Sequence, residues 1–124
     1  MARIPDEELK KAFSELHDKL IDTKHKLKLL DLQIDILRRS KQRAELTQIE
    51  MRTLPAKTKT FETVGRMFLS QDVDTIKTDL KKRMKMADEK IKTLESNKSY
   101  LQQSLKESEN NIREMVQRRQ QEAN

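Results

Sequence analysis

The side chains that most often bind metals or carry out catalysis are scarce in this sequence. It contains two His and no Cys, and His17 and His25 are eight residues apart. A helix that binds zinc through two His places them four residues apart, so that both imidazoles reach the ion from one face. The single Gly excludes a glycine-rich phosphate loop. We therefore expect no enzyme activity, no bound metal and no cofactor.

Basic side chains form two dense clusters, at residues 38–43 and 81–85, which could bind an acidic partner. The net charge of +6 arises from 27 basic and 21 acidic residues that are interspersed, a pattern typical of solvated helix surfaces. Leucine-zipper factors also join a basic region to heptads, but they need one uninterrupted helix, and Pro55 intervenes here. We expect a solvated surface or a contact for acidic protein partners, and we do not expect nucleic-acid binding. The cluster members are Arg38, Arg39, Lys41, Arg43, Lys81, Lys82, Arg83 and Lys85.

The composition excludes an ordinary compact globule. Charged residues make up 39% of the 124 residues, hydrophobic residues 34% and aromatic residues 3%. Such a chain is either disordered or built from long helices with a narrow apolar stripe. No segment approaches the roughly 20 apolar residues of a membrane span, and the N-terminus lacks a signal-peptide run. With no Cys to form disulfides, we expect a cytoplasmic protein that does not contact membranes.

The spacing of apolar residues predicts a first long helix over residues 5–52. Pro5 suits the first helical turn, and the acidic residues after it face the positive end of the helix dipole. Steps of alternately four and three residues from Leu9 meet apolar residues at eight of nine positions, which is the seam of a coiled coil. The next steps reach Lys41, Ala44 and Gln48, which predicts that the seam fades near residue 40. The nine seam positions are Leu9, Phe13, Leu16, Leu20, Thr23, Leu27, Leu30, Ile34 and Leu37.

A second long helix is predicted over residues 72–120, with Asp72 as its cap. The same stepping from Leu80 meets apolar residues at nine of eleven positions, and no Gly or Pro interrupts the segment. Two seams of matching length joined by a bend predict one antiparallel coiled coil, with Leu37 near Met84 and Ala87. The eleven positions are Leu80, Met84, Ala87, Ile91, Leu94, Lys98, Leu101, Leu105, Ser108, Ile112 and Met115.

Between the helices, residues 58–70 predict a short β-hairpin. Gly65 and Arg66 form its two-residue turn, because Gly accepts the positive φ that a type II′ turn requires. Before it, Thr47 and Glu50 have the spacing of a capping box, which predicts a helix restart, and Pro55 ends the helix.

This hairpin cannot bury its own apolar side chains. A lone two-stranded sheet is marginal in water, and both of its edges are unpaired. We therefore predict that hairpins of several chains join into a shared sheet or barrel, so that residues 1–124 form one mainly α-helical domain that oligomerises at its bend. The hairpin residues predicted to mediate subunit assembly are Phe61, Val64, Gly65, Met67, Phe68 and Leu69.

Three segments resemble those of the eukaryotic β-type subunits of prefoldin, a co-chaperone. They are ELKKAFSEL at 8–16, VGRMF at 64–68 and NIREM at 111–115. The placement of the hairpin motif between two seamed helices is more specific than the motif itself, and the resemblance covers nearly the whole chain. It implies a fold in which the hairpin contributes to an intersubunit β-barrel.

The resemblance also implies partners and a function. Prefoldin assembles from two α-type and four β-type subunits, captures unfolded actin and tubulin at the coiled-coil tips, and passes them without ATP to the cytosolic group II chaperonin. The alternative is a structural coiled coil, or a basic nucleic-acid-associated adaptor, without holdase activity.

In that topology the free helix ends form the tip that binds unfolded clients. Coiled-coil ends fray, and Met suits promiscuous apolar contacts because its unbranched chain repacks easily. Each of these residues can equally be ordinary seam packing. Four further apolar residues, Ile21, Leu29, Leu32 and Ile36, lie off the seam, either widening the stripe or offering client surface. The predicted client-binding residues are Ile4, Leu9, Phe13, Ile112, Met115 and Val116.

Overall fold

The computed structural model describes residues 6–123, and the side chains of 6–122. The chain forms helix α1 (Asp6–Met51), strand β1 (Thr60–Val64), strand β2 (Met67–Gln71) and helix α2 (Val73–Ala123). This is the predicted mainly helical architecture, with an antiparallel two-stranded hairpin between two long helices. Within residues 6–123, no helix combines the length and apolarity that crossing a membrane would require.

The chain divides into two compact units. The hairpin unit is Gln33–Leu94, and the helix-end unit comprises Met1–Leu32 and Glu95–Asn124. Each unit contains a stretch of α1 packed against a stretch of α2 running in the opposite direction.

In the hairpin unit, the seam of α1 continues to the end of the helix, so the prediction that it fades near residue 40 was wrong. Ala44 and Met51 are buried and form a core cluster with Val73 and Leu80. Lys41 also occupies the seam, where its ammonium lies 2.7 Å from a carboxylate oxygen of Asp88. The ion pair balances the charge of the ammonium group, while the alkyl chain of Lys41 covers apolar surface.

The contacts across this unit set the register of its two helices. Met84 packs against the cluster that contains Ala44. Leu37 lines a groove that Met86 and Leu94 also line, and its placement near Met84 and Ala87 stays a prediction. The Lys41–Asp88 contact favours one register, because it sets which turns of the two helices face each other.

Helix α1 passes through the predicted restart without a break. The Thr47 hydroxyl donates to the Arg43 carbonyl at 2.8 Å, which is a bond within a continuing helix and not a cap. The helix ends after Met51, where the Leu54 amide donates to the Met51 carbonyl at 3.2 Å in a tightened last turn. Pro55 follows, and it has no amide hydrogen with which to continue the helix.

In the helix-end unit, polar side chains at and beside the seam have partners across the two helices. The Lys19 ammonium donates to the hydroxyl oxygens of Ser104 at 3.1 Å and Ser108 at 2.6 Å. Lys98, a seam position, forms an ion pair with Asp31 at 2.6 Å. Such pairs favour one register over its neighbours, because a shift of the helices would leave each charge without its partner.

The hairpin has the predicted register and turn. Val64 pairs with Met67, Thr63 with Phe68 and Glu62 with Leu69. Gly65 has a φ of 62°, whereas Arg66 has a negative φ. A type II′ turn has this combination, since it needs a positive φ at its first central residue only.

Candidate protein-binding surfaces

The hairpin presents a large apolar surface to solvent. Phe61, Val64, Met67, Phe68 and Leu69 retain between 52% and 74% of their possible exposure. Because neighbouring residues of a strand point to opposite faces, Phe61 and Phe68 lie on one face and the other three on the opposite face. Phe61 and Thr63 border a cavity against α1 and α2. All five apolar side chains nevertheless remain more than half exposed, so this surface fits a protein partner.

An ion pair links the hairpin to α2. Arg83 of α2 forms this exposed pair with Glu62 of β1 at 3.4 Å. Within the hairpin, the Thr60 hydroxyl of β1 donates to the Gln71 carbonyl of β2. Within residues 6–123 the sheet contains only β1 and β2. Both outer edges therefore carry backbone donors and acceptors available to a strand of another chain.

At the helix ends, the structure shows side chains that are mostly packed. Ile112 is buried at 9% exposure, whereas Phe13 keeps 46%. Leu9, Met115 and Val116 are half-buried. An ion pair between Asp6 and Arg119 and the Lys19 contacts on α2 bracket this region, which brings the five residues to one end of the helix pair. Ile4, the sixth predicted client-binding residue, lies outside the described residues.

A groove between α1 and α2 in the hairpin unit is a surface that the sequence did not predict. Its volume is about 530 Å³ and its lining is mainly apolar. Ile36 and Met86 are both more than half exposed here. Ile36 is one of the off-seam residues of α1, and the spacing of apolar residues did not predict that it would line a groove with Met86. The lining residues are Gln33, Ile36, Leu37, Met86, Glu89, Lys90, Thr93 and Leu94.

The off-seam apolar residues of α1 are exposed. Ile21, Leu29 and Leu32 retain about half of their possible exposure, as do Leu46 and Ile49, which the sequence analysis did not single out. A search of the spacing for residues opposite the seam would have found the last two.

The neighbours of Lys41 raise its pKa. The Asp88 carboxylate accepts a hydrogen bond from its ammonium and thereby raises the pKa of Lys41, against a smaller opposing effect of desolvation. Glu45, 3.9 Å away, adds a weaker attraction in the same direction. The consequence is a charged lysine held in the seam.

Comparisons with known proteins agree with the architecture. The family described as "Prefoldin subunit" matches residues 14–119. Prefoldin subunit 1 of Homo sapiens is 53% identical over 116 residues, covering 94% of this chain and 95% of the relative. Prefoldin subunit 1 of Arabidopsis thaliana is 31% identical, over 90% of this chain and 88% of the relative.

A solved structure shares the fold. The prefoldin β subunit from Thermococcus strain KS-1 superposes with a TM-score of 0.73 at 21% identity, covering 92% of this chain and 96% of that one. The resemblance read from the three sequence segments is thus confirmed. With matching helices, an intervening hairpin and relatives that align along nearly its whole length, the chain belongs to the prefoldin subunit family.

Proposed function

We propose that this chain is a β-type subunit of a hexameric, ATP-independent co-chaperone. In this proposal its hairpin joins those of other α-type and β-type prefoldin subunits, and its helix ends capture unfolded proteins of the actin and tubulin class. The captured proteins then pass to the group II chaperonin of the cytoplasm. The observation that carries the proposal is the exposure of five apolar side chains on a two-stranded hairpin.

Assembly follows from the energetics of the hairpin. Burying an exposed large apolar side chain contributes roughly 1.5–3 kcal/mol. The five hairpin side chains offer several times that amount to a partner, together with two strand edges for backbone hydrogen bonds. An isolated chain gains only part of this stabilisation, because each of these side chains stays more than half exposed. Association would therefore stabilise the hairpin further.

Client capture is assigned to the helix ends because their packing is incomplete. Phe13 is already half exposed, and Leu9, Met115 and Val116 are half-buried. The terminal turns of a helix lack part of their backbone hydrogen bonds and open most easily. Opening would present these side chains to an unfolded polypeptide, and several subunits acting together would raise the avidity of weak individual contacts.

The capture assignment is tested by replacing Phe13 and Met115 with Ser in the assembled complex. We expect the complex to form normally and its protection of a denatured client from aggregation to fall by about tenfold, because two apolar contacts are lost. Light scattering of diluted, denatured actin measures the protection.

The matched control replaces Ile21 and Tyr100 with Ser. Both are exposed apolar residues of the same unit that lie off the seam. Equal protection by the wild-type complex and the Phe13/Met115 variant would refute the assignment, and equal loss in both variants would show that exposed apolar area matters more than its position.

A further inference from the structure

The net positive charge of this chain arises from one of its two units. The hairpin unit, residues 33–94, carries 15 Lys and Arg against nine Asp and Glu, a net charge of +6. The helix-end unit carries 12 of each and is neutral. The whole net charge of the chain therefore belongs to the hairpin unit.

Within the hairpin unit, lysines form a row along α2. Lys77, Lys81 and Lys85 follow each other at intervals of four residues, and Lys92 lies two turns further on, so all four share one side of the helix. Lys82 lies beside the row, three residues before Lys85. Lys77 is half-buried, and the other four are exposed. We call these five residues the lysine face.

The lysine face is not neutralised by this chain. Across residues 6–123, no carboxylate forms an ion pair with any of its five members. Asp88, which lies three residues after Lys85 and four before Lys92, is already bonded to Lys41 at 2.7 Å. Glu89 is exposed four residues after Lys85 and forms no ion pair with it.

Such an arrangement costs stability in the isolated helix. Like charges four residues apart repel by about 0.2–0.5 kcal/mol per pair, and Lys77, Lys81 and Lys85 provide two such pairs in succession. A bound polyanion would convert the repulsion into attraction.

We propose that the lysine face binds an acidic polypeptide segment of a partner protein. Its cations are lysines only: the neighbouring Arg83 is directed to Glu62 of the hairpin. Nucleic-acid sites draw on the planar guanidinium of Arg, which binds phosphate with two parallel hydrogen bonds, and on aromatic side chains that stack on bases. The lysine face contains neither, whereas flexible point charges suit a mobile run of Glu and Asp.

The inference is independent of client capture at the helix ends, and its test uses a different reagent. Fluorescence anisotropy would follow a labelled oligo-glutamate peptide as the full chain, in the assembly that it forms, is added. We expect binding that weakens with added salt, because exposed charges are screened. Replacing Lys81, Lys82 and Lys85 with Gln should raise the Kd about tenfold, since each exposed pair contributes only modestly.

The control replaces three exposed lysines of the helix-end unit, Lys24, Lys28 and Lys106, with Gln. It removes the same charge and should leave the Kd within about twofold of the wild type. Replacing Lys81, Lys82 and Lys85 with Arg should keep the binding. Equal losses in both Gln variants, or no binding of the peptide at all, would overturn the proposal. Tighter binding of a duplex DNA than of the peptide would also overturn it, because the partner would then be a nucleic acid.

Discussion

The hairpin and the helix ends differ in how they hold their apolar side chains. On the hairpin, Phe68 and Met67 retain 74% and 71% of their possible exposure. At the helix ends, Ile112 is buried and Met115 half-buried within a helix pair. An apolar surface that is exposed in the single chain is best stabilised by a partner that stays bound. An apolar surface that is exposed only when the helix ends open can bind a polypeptide and release it again. This difference agrees with the roles proposed above, which are stable assembly for the hairpin and reversible capture for the helix ends.

The largest effect is expected from the hairpin. Replacing Phe61 and Phe68 with Ser removes two apolar side chains from the proposed interface, at a cost of about 3–6 kcal/mol in association. We expect the complex to be lost while the helical content of the chain remains. Co-expression with partner subunits followed by native mass spectrometry measures the amount of assembled complex.

The matched control for the hairpin replaces Leu46 and Ile49 with Ser. These residues of α1 are also more than half exposed and belong to the same unit. Intact complexes from the Phe61/Phe68 variant would contradict the proposed difference between the two regions, because the two hairpin phenylalanines would then not be needed for assembly.

The next largest effect is expected on the free energy of unfolding of the isolated chain, where a buried side chain and an exposed one are compared. Ile112→Ala removes a buried side chain and should lower the free energy of unfolding by about 2–4 kcal/mol. Met67→Ala, on the exposed hairpin, should change it by less than about 0.5 kcal/mol. Urea unfolding followed by circular dichroism provides both values. Similar losses for the two variants would mean that the hairpin is covered even in the isolated chain.

The smallest effect concerns the charged seam position Lys41. Its pKa is raised by Asp88 in the folded chain, so the interaction stabilises the fold fully below the pKa of an unfolded lysine, about 10.4, and is lost as the pH rises through the folded pKa. We expect the stability difference between wild type and Lys41→Gln to shrink above that pH. Lys92→Gln, an exposed lysine of the same unit, is the control, and a pH-independent difference for Lys41→Gln would rule out this linkage.

Much of this architecture could be predicted from residue spacing. The seven-residue period identified both helices, and one Gly placed the hairpin turn and hence its register. The seam beyond residue 40 was missed because the rule counts apolar residues, and it cannot anticipate that Lys41 finds Asp88 across the helix pair. The groove at Ile36 and Met86 was not predicted, because the stepping rule follows the seam and does not describe the side chains beside it.

Gly65 gives the hairpin a handedness requirement that no other described residue shares. Its φ of 62° is the only positive φ among residues 6–123, and a Cβ built there would meet no atom within 4 Å. The obstacle to an L-amino acid is therefore its own backbone and not its neighbours. A D-alanine, introduced by chemical synthesis, prefers this conformation and has room for its methyl group, so it should hold the turn more firmly than glycine does.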